Sequence, residues 1–401
     1  MRPGLAPWLL VPLVATATWG GDEQQEKRTW EAHFLMAHPL ALCNDGSPAA
    51  YYYRHGSRRS RHWMVFLEGG MWCWDGNTCR AGISGVTSSK NFPRTARAIA
   101  FWASHQKGIF DDRDSTFLDV NIAFVRSCSN DAFMGDSSPT RPGDPKRSFL
   151  GWHFRGRRIV EAVFVDLQQK FGLGREAGDL VLYGGCSAGA RGGIVSIDSV
   201  AASLAGKAKV IGIFDSPLWV PIPPLNPGVV SFQEQTTSAM ALFNISSLGD
   251  EDCYRAYTGA ERWKCFFGAF RLPFVRTPYI LSHSQYDKFA INWNLRRGSW
   301  LPKKKLNNTV LDFAERYREQ VVNYLPYPAP GSGTVIFSSA CYYHCTLMFD
   351  FIHKIRVRGL SLVQLVERWF SVSPALPTTE VLRDDCSGFD CGDCSNLYRF
   401  V

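Results

Sequence analysis

A cysteine and a serine stand side by side in Leu180–Gly193, LVLYGGCSAGARGG, and either side chain could act as a nucleophile. Glycines at positions 185 and 189 flank Ser187 in a G-x-S-x-G pattern. In this pattern an apolar strand turns sharply into a helix, and small flanking residues leave room for the exposed nucleophile. The spacing therefore selects Ser187 as the nucleophile. Cys186 lies one position early, and we expect it to be a buried thiol or one half of a disulfide.

A nucleophilic serine needs a base, and that base needs a carboxylate to orient it. In hydrolases built on this turn, the chain order is serine, acid and histidine, each placed just after a strand. Asp287 follows the apolar run Tyr279–Leu281, and His344 follows the run Thr334–Phe337. Order and placement therefore predict a triad of Ser187, Asp287 and His344.

Other residues compete for the roles of acid and base. Asp215 also follows a predicted strand, so it remains an alternative acid. Beyond Ser187 the sequence holds only the histidines His283, His344 and His353. His283 would sit at a strand end, ahead of the predicted acid, and it is the competing base. His353 lies in a helical pattern, where we expect a surface or packing role.

Attack by such a serine also requires backbone N–H donors that stabilise a negatively charged oxygen. One donor is expected to be the amide that follows the nucleophile, Ala188. The others should come from a glycine-rich loop after an early strand, and FLEGGMWCW after the strand Trp63–Leu67 fits that description. We predict Gly70 and Met71 as these donors. We expect the tryptophans of this segment, Trp72 and Trp74, to belong to the core, and a wall of the substrate pocket is the alternative.

The elements that must position these residues are short apolar runs that alternate with helical patterns. Continuous apolar runs are typical of parallel strands buried on both faces. Segments 155–171 and 361–370 repeat apolar residues at helical spacing. We predict an α/β fold of the α/β-hydrolase type, with a mostly parallel central sheet flanked by helices and with disulfide-stapled loops. The predicted strands are 63–67, 121–125, 180–183, 209–214, 279–281 and 334–337.

The N-terminus has the pattern of a signal peptide. A positive residue precedes a short apolar run at 5–14, and Ala-Thr-Ala at 15–17 resembles a cleavage site. A disordered apolar N-terminus is the alternative. No later stretch reaches the roughly 18 apolar residues of a membrane span. We expect residues 1–17 to be a signal peptide and 18–401 to be a single α/β-hydrolase-like domain, secreted to the cell wall or surface.

Cysteine usage agrees with export. The twelve cysteines are an even number, which in an exported chain indicates disulfides. We expect Cys73 to pair with Cys79. A zinc site at Cys391 and Cys394 is the alternative, but only Cys386 is close by and no second pair stands at zinc-finger spacing. We therefore predict no metal.

The formal net charge of +8 and the basic clusters at 54–61 and 303–305 bear on possible partners. Solvated loops explain such clusters, and attraction to an acidic polysaccharide is the functional interpretation. A nucleic-acid partner is not expected, because no recognisable binding motif is present.

Seven motifs together resemble the pectin acetylesterase and Notum family: LEGGMWCW, RSCSNDAFMGD, FRGRRIVEAV, GGCSAGA, the Asp287 loop, SSACYYHC and DDCSGFDCGDCSNLY. The resemblance runs from about Leu42 to Leu397. It implies an extracellular serine carboxylesterase on an α/β-hydrolase fold, without metal or organic cofactor. It also implies the triad and the oxyanion donors already predicted, and it favours Asp287 over Asp215 as the acid.

The family divides by substrate, since pectin acetylesterases remove acetyl groups from galacturonan and Notum removes palmitoleate from a serine of Wnt proteins. CSAG, RSCSNDAFMGD and FRGRRI resemble the plant acetylesterases, whereas CYRAYTGAERWKCFFG is closer to Notum. Met71 departs from both. We expect removal of O-acetyl groups from a pectin-like polysaccharide. Removal of a fatty acyl group from a secreted protein is the alternative, and a non-catalytic glycan-binding protein is the alternative of another class.

Overall fold

The computed structural model describes residues 29–57, 60–81, 86–111, 117, 119–138, 151–176, 178–248, 250–295, 306–371 and 379–394. The predicted signal peptide at 1–17 and the basic cluster at 303–305 lie outside the described residues. Within the described segments, no helix has both the length and the apolar character needed to cross a membrane.

In the described part of the chain, nine strands form the central sheet, and a two-stranded pair stands apart from it. The strands are β1 Trp30–Phe34, β2 Ala50–Arg54, β3 His62–Leu67, β4 Asn121–Val125, β5 Asp179–Cys186, β6 Ala208–Asp215, β7 Tyr279–Ser282, β8 Val335–Ser338, β9 Arg356–Val357, β10 Leu360–Ser361 and β11 Glu380–Arg383. The sheet order is β1-β2-β4-β3-β5-β6-β7-β8-β11. Pairing is parallel from β4 to β11 and antiparallel at β1 and β2. The predicted, mostly parallel sheet is confirmed, and β1, β2 and β11 extend it.

The central strands are buried on both faces. In β3, Met64 and Phe66 belong to one apolar cluster, while Val65 and Leu67 belong to another. Successive side chains of a strand point to opposite faces of a sheet, so the two clusters occupy the two sides. This packing explains the continuous apolar runs of the sequence.

Helices cover the sheet, and both predicted helical segments are confirmed. The described α-helices are α1 Gly76–Arg80, α2 Ala96–Ser104, α3 Gly156–Asp166, α4 Ala188–Ser203, α5 Phe232–Phe243, α6 Glu251–Ala256, α7 Gly268–Arg271, α8 Lys288–Asn294, α9 Asn308–Tyr324 and α10 Leu362–Ser371. The last turn of the predicted helix 155–171 is a π-helical turn, Leu167–Phe171, which ends at Gly172 with φ 83°.

Disulfides join all twelve cysteines in pairs. The predicted pair Cys73–Cys79 is confirmed. Cys391 and Cys394 pair with Cys386 and Cys341, so neither sulfur is the thiolate that a zinc site requires. The other pairs are Cys43–Cys128, Cys186–Cys345 and Cys253–Cys265.

Candidate active site

Ser187 lies at the sharp turn between β5 and α4. β5 ends at Cys186, α4 begins at Ala188, and Ser187 between them has φ 55° and ψ −122°. A non-glycine residue in this left-handed region is strained, and such strain persists where the surroundings hold the backbone. The Ser187 N–H donates to the carbonyl oxygen of Asp215 at 2.8 Å, which ties the turn to the end of β6.

Glycine is required on both sides of the turn because the end of β3 lies against it. A Cβ atom at Gly185 or at Gly189 would come within 2.1 Å of the Leu67 carbonyl oxygen. No side chain fits at that distance, so the turn packs directly on the backbone of β3. The same packing brings the next loop close, because a Cβ atom at Gly69 would lie 3.3 Å from Cβ of Ser187.

Asp287 and His344 meet beyond the ends of β7 and β8. Asp287 is the N-cap of α8, and its Oδ1 accepts the N–H of Ala290 at 2.8 Å. Its Oδ2 lies 2.7 Å from Nδ1 of His344, and the two side chains are 2% and 9% exposed. Because this hydrogen bond engages Nδ1, the ring can exchange a proton with a substrate or a nucleophile through Nε2.

The competing residues make other contacts. The carboxylate of Asp215 accepts the N–H groups of Thr346 and Leu347 at 2.5 and 2.7 Å, rather than bonding to the imidazole. His283 is 1% exposed, and neither ring nitrogen has a hydrogen-bond partner among the described residues. Burial lowers the pKa of His283 to about 4. His353 is exposed at the end of a short 3-10 helix.

The predicted oxyanion donors surround the same turn. Gly70 and Met71 line the cavity that contains Ser187 and His344. Met71 has φ 65°, so the loop holds it in a conformation that few side chains adopt. Ala188 is the first residue of a 16-residue helix, where the N–H groups have no acceptor within the helix. The partial positive charge of that helix end favours an anionic oxygen.

A cavity of about 440 Å³ contains these residues. Its lining is Glu68, Gly69, Gly70, Met71, Cys186, Ser187, Phe289, Asn292, Trp293, His344, Cys345, Met348 and Phe349. The centroid of the Phe289 ring lies 5.1 Å from the centroid of the His344 imidazole. Phe289 and Trp293 are one turn apart on α8, a spacing that places both on one helix face. These wall residues were not predicted, and their helical spacing is the only signal in the sequence.

An aromatic cluster supports the loop that carries Met71. Trp72 and the tryptophan at position 74 are buried, as predicted. The guanidinium of Arg191 lies 3.9 Å from the Trp72 ring centroid and 3.5 Å from that of Trp219. Among the described residues no carboxylate pairs with Arg191, and burial lowers its pKa well below the usual value. This packing holds the loop against α4.

A covalent link beside Ser187 and His344 was also missed. Cys186 precedes the serine, Cys345 follows the histidine, and the two form a disulfide. Of the two expectations for Cys186, one half of a disulfide is therefore correct. Ligand atoms of both cysteines and of His344 lie within 4.8 Å of one another. Disulfide sulfurs are not thiolates, so this group does not have the donor set of a zinc site.

Comparisons with known proteins identify a matching family model and similar sequences. The family model described as Pectinacetylesterase matches residues 23–384. The palmitoleoyl-protein carboxylesterase notum2 of Xenopus laevis is 24% identical over 368 residues, which are 86% of this chain and 68% of the relative. Pectin acetylesterase 11 of Arabidopsis thaliana is 26% identical over 319 residues, which are 76% of each protein.

The fold has a close counterpart among solved structures. The structure of the Wnt deacylase Notum from Drosophila superposes with a TM-score of 0.78 at 23% sequence identity. The match covers 91% of this chain and 99% of the other. This similarity confirms the predicted α/β-hydrolase-like fold.

Proposed function

Because the chain belongs to the pectinacetylesterase family and is a carboxylesterase, we propose that it is exported and removes O-acetyl groups from a pectin-like polysaccharide. The observation that carries the proposal is one cavity that contains Ser187, His344 and the Gly70–Met71 loop, with Asp287 bonded to His344. The similarity to a plant pectin acetylesterase and the net charge of +8 support an acidic, acetylated polymer as substrate. Six disulfides support export.

The reaction follows from the contacts of the triad. His344 accepts the Ser187 proton at Nε2 while Asp287 stabilises the imidazolium through Nδ1. The serine oxygen attacks the ester carbonyl, and the N–H groups of the oxyanion loop and of Ala188 stabilise the negative oxygen. The alcohol leaves with the proton from His344, and an acyl-serine remains. Water, deprotonated by the same imidazole, then releases the acid and restores the serine.

The apolar wall favours a second candidate substrate, a fatty acyl ester on a secreted protein. An acetyl group occupies a small part of a 440 Å³ cavity, whereas cavities of about 300–1,000 Å³ take drug-sized ligands. Phe289, Trp293 and Met348 supply the apolar contacts that an acyl chain needs. If the substrate is an acetylated polysaccharide, the same space holds the sugar that carries the ester. The aromatic rings of Phe289 and Trp293 then pack on the C–H groups of that sugar.

The first experiment is hydrolysis of p-nitrophenyl esters from acetate to palmitate, followed by acetate release from acetylated pectin. We expect Ser187→Ala to lower kcat by about 10⁴-fold or more. Ser203→Ala is the matched control, since Ser203 lies on the same helix and its hydroxyl donates to the Val200 carbonyl, outside the cavity. Unchanged turnover in Ser187→Ala would contradict the assigned nucleophile.

Chain length separates the two substrates. Activity highest on acetate, together with acetate release from pectin, supports the polysaccharide. Activity that rises with chain length and no release from pectin supports the fatty acyl candidate and rejects the acetylesterase.

A further inference from the structure

Asp215 links the two segments that carry the nucleophile and the base. Through its main chain it contacts the turn, because its carbonyl oxygen accepts the N–H of Ser187 at 2.8 Å. Through its side chain it contacts the segment after His344, accepting the N–H groups of Thr346 and Leu347 at 2.5 and 2.7 Å. One residue at the end of β6 therefore holds both sides of the cavity.

Burial and hydrogen bonds fix the position of the Asp215 carboxylate. It is completely buried, and it accepts two further hydrogen bonds from the hydroxyls of Thr346 and Ser216, at 3.1 and 3.2 Å. Four donors on one buried carboxylate form a network whose members are costly to leave unpaired. No arginine or lysine pairs with Asp215 among the described residues, so its partners are the donors of this segment.

The surrounding backbone is under strain at three points. Ser187, Ser216 and Cys345 have φ values of 55°, 56° and 62°. The hydroxyl oxygen of Ser216 accepts the N–H of Cys345 at 2.9 Å, and Cys186 is disulfide-bonded to Cys345. Left-handed conformations of non-glycine residues persist when several contacts enforce them, and they cluster at active sites. Here the hydrogen bonds that enforce these conformations come from Asp215 and Ser216, at the end of β6.

We propose that Asp215 is a positioning residue for ester hydrolysis. Its carbonyl oxygen holds the backbone of Ser187, and its carboxylate holds the segment after His344, so the two side chains keep a fixed relative position. The inference rests on the proposed roles of those two residues. Asp215 does not exchange the catalytic proton, because its oxygens are engaged by the backbone and hydroxyl donors. It acts by fixing the segment 344–349, which also supplies Met348 and Phe349 to the cavity wall.

The test variant is Asp215→Asn. Its one oxygen can still accept the N–H groups of residues 346 and 347, which both bond to Oδ2, but its NH₂ group then faces the Thr346 and Ser216 hydroxyls, which donate to Oδ1 in the native chain. A misplacement of about 1 Å costs about 10²-fold, so we expect kcat for p-nitrophenyl acetate to fall about 10²-fold with KM little changed. Asp198→Asn is the matched control, since Asp198 accepts the Thr277 N–H and hydroxyl at 2.9 and 2.8 Å outside the cavity. The control should lose stability and keep its kcat. Equal kcat in both variants would overturn the proposal.

A second pair of variants, at Thr346, tests the proposal if Asp215→Asn does not fold. Thr346→Val removes one donor to Asp215 without a change of shape, and Thr346→Ser keeps that donor. Loss of one such hydrogen bond should lower kcat about tenfold in the valine variant. The serine variant should restore most of it, and equal activity of the two would overturn the proposal.

A readout independent of turnover separates this inference from the proposed function. The Nδ1 proton of His344, bonded to Asp287, should give a low-field resonance in proton NMR. In Asp215→Asn, or in Thr346→Val, that resonance should shift or broaden, while it stays unchanged in Asp198→Asn. If the protein hydrolyses no ester, the proposed function fails and this spectrum still tests the positioning. An unchanged resonance in the variants would refute it.

Discussion

The hydrogen bond between Asp287 and His344 makes a quantitative prediction for the substitution Asp287→Asn. In the native chain Oδ1 of Asp287 accepts the Ala290 N–H and Oδ2 faces Nδ1 of His344. An asparagine oxygen can keep the first contact, because asparagine caps helices as well as aspartate does. Its NH₂ group then faces Nδ1, which must become an acceptor. The ring proton moves to Nε2, the atom that would accept the serine proton.

This exchange of tautomer is expected to lower kcat by about 10⁴-fold, as loss of the triad carboxylate does in serine hydrolases. At 1.36 kcal/mol per tenfold, the loss is about 5.4 kcal/mol of transition-state stabilisation. The stability should hardly change, because the cap on α8 is kept. Asp287→Ala loses the cap as well and should unfold about 1 kcal/mol more easily.

Steady-state hydrolysis of p-nitrophenyl acetate and urea unfolding of both variants measure the two effects separately. The amount of folded protein is checked by circular dichroism before each assay. A kcat for Asp287→Asn within tenfold of the native value would refute the role of this carboxylate in orienting His344. Equal destabilisation by asparagine and alanine would refute the cap as the reason for the difference.

Three further predictions concern stability. Gly189→Ala places a methyl group 2.1 Å from the Leu67 carbonyl oxygen and should cost about 3 kcal/mol in urea unfolding; a native midpoint would contradict the close packing of the turn. Replacement of Cys43 and Cys128 by serine opens a link of sequence separation 85 and should cost about 4.6 kcal/mol, and a loss below 1 kcal/mol would argue against this pairing. Burial lowers the His283 pKa from 6.5 to about 4, so the unfolded chain binds a proton between these values that the native chain does not. The free energy of unfolding should therefore fall by up to about 3 kcal/mol as the pH drops from 6.5 towards 4. Urea unfolding at a series of pH values measures this fall, and the same fall in His283→Gln would reject His283 as its cause.

Local patterns were sufficient for most of the central sheet. The six predicted strands are present in the structure, with shifts of at most a few residues at their ends. A strand buried on both faces needs a continuous apolar run, and such a run is visible in the sequence. β2 was missed although all five of its residues are buried. Its sequence, AYYYR, is buried because Tyr51 and Tyr53 pack in one apolar cluster and Tyr52 packs in the other. Its antiparallel pairing with β1 and β4 leaves no periodic signal in so short a segment.

By itself, the sequence determined which residue types follow which strands, and so it determined the candidates Ser187, Asp287 and His344. It left Asp215 as an alternative acid, since Asp215 also follows a predicted strand, and the family resemblance favoured Asp287. The tertiary structure shows the physical difference between the two carboxylates, because the segment after β8 folds back so that its imidazole meets Asp287 and its backbone N–H groups meet Asp215. The Cys186–Cys345 link, with a sequence separation of 159, was decided in the same way. Contacts between distant segments depend on how whole elements pack, and no short stretch of the chain contains that information.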